Sequence, residues 1–247
     1  MRMLGLSVTL AISLGAGTSA FSQSTPPAAS TAAPSAAGST LPSTSNPDWK
    51  APEVIEFIGL KKGDQVADIA AGRLTPSLAQ AVGPTGKVYA VETAEIAKAH
   101  PETLARMKAL ATRLPNVIVS EDPIATALPS GLDAVFIRQN YHDLYNKLMG
   151  PADVPAFNKA VFAALKPGGV YVVLDHSATA GSGVSATETL HRIDAARVKS
   201  DALAAGFKLD GESSIFANKA DDRTKSVFDP SIRFHTDQFL LRFKKPK

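Results

Sequence analysis

From Trp49 to the last residue, short apolar runs of strand length alternate with segments whose apolar residues recur at helical spacing, and few architectures satisfy that alternation. The strand-like runs fall at 66–69, 88–91, 117–119, 134–137 and 170–174. Val54, Ile55 and Ile58 mark an opening helix that begins around Asp48 and Pro52 and stops near Gly59 and Gly63. Leu78, Ala79 and Val82 follow Thr75-Pro76, which read as an N-cap and first-turn pair. Leu104, Met107, Leu110 and Leu114 follow Pro101, and Phe157, Val161 and Leu165 form a further helical pattern. A helix over 187–205 puts Leu190, Ile193, Ala196 and Leu203 on one side; two last strands, 207–216 and 234–243, are joined by a polar loop without a helix. Strands separated by helices pair in parallel through right-handed crossovers. The sequence therefore predicts an α/β fold with a doubly wound, mostly parallel seven-stranded sheet, buried on both faces and ending in an antiparallel strand. Five strand–helix units are too few for an eight-fold barrel.

Charge divides the chain before any motif does: residues 3–47 carry none. Met1-Arg2, the apolar run 3–17 and the small residues Thr18-Ser19-Ala20 predict a signal peptide over 1–20, and hence an exported protein, periplasmic or secreted. The run is too short and too polar to cross a bilayer, so no membrane association is expected after cleavage; an uncleaved tether is the alternative. Residues 21–47, almost all Ser, Thr, Pro and Ala, read as a disordered linker, and 48–247 as one domain. The absence of cysteine excludes disulfides and thiolate chemistry. Setting aside Arg2, 25 basic residues stand against 23 acidic ones, a balance that gives no case for nucleic acid. Lys244, Lys245 and Lys247 read as a solvated tail.

In doubly wound sheets ligands bind beyond the carboxyl ends of the strands, where the winding reverses. The strand ends here carry Asp68 with the loop through Thr75, then Glu92, Glu121-Asp122, the run from Arg138 to Asp143, and Asp175-His176. Glu92 stands 24 residues after Asp68 at the tip of the second strand, where a carboxylate can accept hydrogen bonds from both hydroxyls of a ribose; otherwise it is a solvated strand end or a helix cap.

The segments Val66-Ala67-Asp68-Ile69-Ala70-Ala71-Gly72 with Thr75, Gly86-Lys87-Val88-Tyr89-Ala90-Val91-Glu92, and Leu165-Lys166-Pro167-Gly168-Gly169 resemble the class I S-adenosylmethionine-dependent methyltransferases, whose Rossmann-like sheet also finishes without a helix. With Tyr141-His142-Asp143, Asp175-His176 and the leader, the chain resembles an exported bacterial subgroup of predicted methyltransferases. The resemblance implies S-adenosyl-L-methionine as cofactor: Asp68 at its amino-acid end, Ala70 and Gly72 in the loop against it, Glu92 on the ribose and Asp122 at the adenine amino group. It implies methyl transfer to a small-molecule acceptor. The family's loop has glycine at alternate positions, where this chain has Ala70, Gly72 and Leu74. Leu74 is expected to fill part of the pocket or to force a different turn. A non-catalytic binding or structural module with a degenerate loop is the alternative. The same departure argues against a nicotinamide dehydrogenase, which needs Gly-x-Gly-x-x-Gly here.

Methyl transfer asks for alignment and, for oxygen or nitrogen acceptors, removal of a proton. His142 is the expected base, oriented by Asp143 or Asp175, with Tyr141 beside it. Asn140, Asp175 and His176 are expected to bind substrate; a plain helix-capping turn over 140–143 is the bland alternative. His142, Asp143, Asp175, His176 and His191 could also ligate a divalent cation, but no His-x-x-x-His spacing supports this and no metal is expected. His191-Arg192 reads as a surface helix pair, and Arg138 as a partner for one of the carboxylates.

Overall fold

The computed structural model describes residues 49–121, 123 and 128–247. The expected signal peptide and linker, together with Asp48 and Asp122, lie outside the described residues. In chain order the elements are α1 (Ala51–Ile58), β1 (Gln65–Ile69), α2 (Thr75–Val82), β2 (Lys87–Val91), α3 (Ala94–Ala99), α4 (Pro101–Ala111), β3 (Val117–Ser120) and β4 (Leu132–Arg138). A 3₁₀ turn (His142–Tyr145), α5 (Val154–Ala164), β5 (Leu165–His176), α6 (Thr187–Leu190), α7 (Ala195–Ala204), β6 (Lys208–Ser213) and β7 (Gln238–Lys244) follow.

The strands form the one mostly parallel seven-stranded sheet that the alternation predicted, and their order is β3-β2-β1-β4-β5-β7-β6. Strands β1 to β5 are parallel, and β7 runs antiparallel between β5 and β6. Because β1 pairs with both β2 and β4, the winding reverses beside β1, which sets a crevice at the carboxyl ends of β1 and β4. Alternation along each strand sorts its side chains into two apolar clusters. Ala67, Ile69, Val135, Ile137 and Val173 share one with Phe157 and Val161 of α5, and Val66, Val88, Phe136, Val172 and Leu174 share the other with Val54 of α1 and Leu78 of α2. Helices on both faces leave the central strands no wet side, hence their near-continuous apolar sequences.

Four local expectations are corrected. The helix expected over 187–205 is two: α6 ends at Leu190, His191 turns left-handed at φ 54, and α7 restarts where the Asp194 side chain accepts from the Ala196 N–H. Arg192, between them, is fully buried rather than on a surface helix; its guanidinium donates to the carbonyls of Ser177 and Lys225 and pairs with Asp221 at 2.8 Å. An unexpected helix, α3, begins at Thr93, whose hydroxyl caps the Ile96 N–H. Lys245 is not a solvated tail: its ammonium donates to the carbonyls of Phe162 and Leu165 at the end of α5, where a cation complements the helix dipole.

Candidate functional site

A cleft of about 600 Å³ opens at the carboxyl ends of β1, β2, β4 and β5. Its floor begins with the turn after β1. Ala70 takes a left-handed conformation, φ 53, with its N–H bonded to the Val91 carbonyl. Gly72 has no left-handed φ, and a methyl built on it would meet only the Ala70 carbonyl, at 3.8 Å, so its small size provides room and not backbone freedom. Thr75 is not the N-cap. It is the first residue of α2 after Leu74, and its hydroxyl donates to Asp68 Oδ2 at 2.6 Å while accepting from the Gly72 N–H at 3.0 Å, which ties the turn closed. Leu74 contributes to the cleft wall, yet it is only 2 % exposed and belongs to the apolar cluster of α1 and α2, leaving the cleft open beside it.

A left-handed alanine costs on the order of 1 kcal/mol. Ala70→Gly is therefore expected to raise unfolding stability by about 0.5–1 kcal/mol in urea melts, the gain being reduced by glycine's looser unfolded state. A drop in stability would show that the turn carries no such strain.

Two carboxylates face the cleft in an unusual state. Burial pushes Asp68 up to about 6, against the pull of the Thr75 hydroxyl, the Gly72 N–H and Arg138. Glu92 is 1 % exposed; burial, aided by the Asp68 charge and opposed by Thr103 and Arg106, pushes it up to about 7. Glu92 Oε2 accepts from the Thr103 hydroxyl of α4 at 2.9 Å, whereas Oε1 has no partner among the described residues. A buried carboxylate oxygen left in this way is energetically costly unless a donor reaches it. Arg138, at the end of β4, lines the same cleft, and its Nε has no partner among the described residues. Burial, with Arg73 nearby, lowers it to about 10, so it is still a cation at neutral pH.

The rim beyond β4 and β5 holds the histidines. His142 is 3 % exposed, its Nδ1 at 2.8 Å from Asp175 Oδ1, and its backbone N–H donates to Asp175 Oδ2 at 2.8 Å. Its Nε2 lies 3.2 Å from Asp143 Oδ1 and 3.3 Å from His191 Nδ1. Burial disfavours the imidazolium, but the Asp175 charge and the bonds to Asp143 and Asp175 outweigh it and hold His142 up at about 10. A base needs a neutral Nε2, and this setting disfavours one, so the role expected from the sequence does not suit the ring in this state. His142 holds Asp143, in turn, well below the usual carboxylate range.

The other expected site residues divide. Asn140 and His176 line the cleft, with Asn140 Nδ2 donating to the Arg138 carbonyl and His176 Nδ1 at 2.8 Å from the Thr236 hydroxyl. Burial drives His176 down to about 3, leaving it neutral. Asp175 is wholly buried, its carboxylate bonded to the ring and the backbone N–H of His142. Tyr141 is corrected outright: it is fully buried in the apolar cluster on the α5 face, accepting from Asn158 Nδ2 at 2.8 Å and donating to Asp201 at 3.2 Å, away from the cleft. Asp122 lies outside the described residues. Thr103 and Phe228 escaped the sequence reading. Phe228 comes from the loop before β7 and packs against His191 with ring centroids 4.8 Å apart. Nothing in their local sequence marks either residue.

No protein-family model and no curated protein matches the chain. Solved structures do. A SAM-dependent methyltransferase from Aquifex aeolicus is 20% identical, with a TM-score of 0.54 over 78% of this chain and 88% of that one. The N-methyltransferase NodS from Bradyrhizobium japonicum WM9 is 11% identical, with a TM-score of 0.56 over 82% and 99% of the two chains. The cyclase SpnF is 18% identical, with a TM-score of 0.56 over 81% and 80%. At these identities the likeness is one of fold, and it supports the sheet expected from the resemblance.

Proposed function

We propose that the cleft binds S-adenosylmethionine and that the protein transfers its methyl group to a small-molecule acceptor. The observation that carries the reading is Glu92: a buried carboxylate at the tip of β2, with one oxygen unpartnered among the described residues, beside the Asp68 turn. A ribose diol would supply the missing donors, since two hydroxyls match two carboxylate oxygens. Asp68 and the cationic Arg138 face the same space and complement the ammonium and carboxylate of an amino-acid end. When bound, the cofactor supplies an electrophilic methyl on a sulfonium. The protein's own part is to bind, to orient, and to shape the rim where the acceptor approaches.

At that rim Asn140 and His191 line the approach, and His142, held as an imidazolium, donates and does not accept. The site therefore suits an acceptor that is already nucleophilic, or one whose proton is removed by something other than His142. The non-catalytic alternative needed Leu74 to fill the cavity; its burial in the cluster of α1 and α2 favours binding. Export is part of the same proposal, supported by the signal-like segment over 1–20. The intact mass of the exported chain checks it, cleavage removing residues through about Ala20.

The reading predicts a pH dependence. With its folded value raised from 4.5 to about 7, Glu92 favours the ligand-free fold most below 4.5, and that contribution is lost as pH rises through 7. Ribose binding runs the other way, because only the ionised carboxylate accepts from both hydroxyls. Affinity for S-adenosylhomocysteine, followed by calorimetry, is expected to rise about tenfold or more between about pH 5.5 and about pH 8. In Glu92→Gln the remaining dependence should centre on Asp68, near 6. A profile that Glu92→Gln leaves unchanged would remove the ribose assignment.

A further inference from the structure

The geometry points to a divalent transition-metal site on the rim of the cleft, ligated by His142 Nε2, His191 Nδ1 and an oxygen of Asp143. Two segments far apart in sequence bring these atoms together: the 3₁₀ turn after β4 supplies His142 and Asp143, and the break between α6 and α7 supplies His191. The separations are 3.2 Å from His142 Nε2 to Asp143 Oδ1, 3.3 Å from His142 Nε2 to His191 Nδ1, and 3.7 Å from His191 Nδ1 to Asp143 Oδ1. Ligands ~2.1 Å from one ion lie about 3.0 Å apart at a right angle and about 3.4 Å apart at the tetrahedral angle. Among the described residues this is the group of histidines and carboxylates whose donor atoms converge so closely.

The surroundings are those of a ligand set. A metal-bound histidine commonly gives its other ring nitrogen to a carboxylate, which fixes the ring and raises its basicity. Asp175 plays that part for His142 Nδ1 at 2.8 Å, and is itself fixed by the backbone N–H groups of His142 and His176. Asn146 Nδ2 donates to Asp143 Oδ1 at 2.6 Å and so aims that carboxylate. His191 takes a left-handed conformation, φ 54, next to the buried Arg192 and with Phe228 packed against its ring. A dication would displace the proton from His142 Nε2, and Asp143 and Asp175 would balance its charge.

Two imidazoles and one carboxylate suit zinc or ferrous iron over magnesium or calcium, which prefer oxygen. Three protein ligands leave coordination positions open toward the cleft, where an acceptor bearing an oxygen donor fits. That acceptor class rests on the methyl-transfer reading, whereas the metal site does not, and its test needs no cofactor.

The test uses the tag-free full chain, stripped with chelator, then equilibrated with ZnCl2, CoCl2 or MgCl2 alone and assayed for retained metal. One equivalent of zinc or cobalt per chain and no retained magnesium is the expected result. His191→Ala, at a side chain already partly exposed, should lower zinc affinity about 100-fold or more, and Asp175→Asn by roughly 10–100-fold. Circular dichroism confirms that each variant is folded. In cobalt-loaded wild type, paramagnetic NMR should show two shifted imidazole spin systems, a readout that survives a variant's failure to fold. No retained zinc or cobalt, retention undiminished in folded His191→Ala, or a count other than two histidines overturns the site. Failure here leaves S-adenosylhomocysteine binding, measured without metal, untouched.

Discussion

Glu92→Ala is expected to weaken S-adenosylhomocysteine binding by about 2–4 kcal/mol, or roughly 30-fold to 1,000-fold in Kd, with little change in the unfolding midpoint. The size of the effect follows from charge and burial. An ionised carboxylate that accepts from a ribose diol makes hydrogen bonds about twice as strong as neutral ones, inside a cleft where water competes poorly. The fold should tolerate the change, because among the described residues the Glu92 side chain takes one hydrogen bond, from Thr103, and its other oxygen has no partner. Removing it even relieves a buried carboxylate held up at about 7. Thr103→Val should cost far less affinity, since it only orients Oε2. Equal losses in the two variants would mean that Glu92 acts through α4 and does not touch ligand.

Asp221→Ala should be the most destabilising single substitution among the loop residues, by about 3–5 kcal/mol in urea unfolding. Arg192 is wholly buried, and Asp221 is its only carboxylate partner among the described residues, at 2.8 Å. Removing that partner leaves a guanidinium in the interior with two carbonyls and no counter-charge. Asp221 also accepts from the backbone N–H groups of Arg223 and Asp237, so the loop before β7 loosens with it. Replacing both members of the pair, Arg192→Met with Asp221→Leu, should cost less than Asp221→Ala alone, because no charge is stranded. A cost for Asp221→Ala below about 1 kcal/mol would show that water reaches Arg192.

The sheet was legible because burial on both faces demands near-continuous apolar strands such as 134–137, and because proline and glycine punctuate the helices between them. What escaped depends on partners far along the chain. The break at His191 is set by Asp221, 29 residues beyond Arg192, and no local signal opposes the helical pattern there. Tyr141 looked catalytic beside His142, but its hydroxyl is satisfied by Asn158 and by Asp201, 60 residues away, which lets it sink into the core. The charge on His142 is decided by Asp175, 33 residues further on. Leu74 shows the same limit at close range. Its position in the loop suggested an obstruction, and only the packing of α1 against α2 gives its side chain somewhere else to go. Asp68 and Glu92 were legible because topology alone brings the ends of adjacent parallel strands together.

The most direct measurement is a crystal structure of the protein grown with S-adenosylhomocysteine. Electron density for the nucleoside should lie in the cleft at the ends of β1 and β2, with both ribose hydroxyls within hydrogen-bond reach of Glu92 and Leu74 still buried in its apolar cluster. A cleft without ligand at saturating concentration, or a ligand bound with its ribose away from Glu92, would contradict the account.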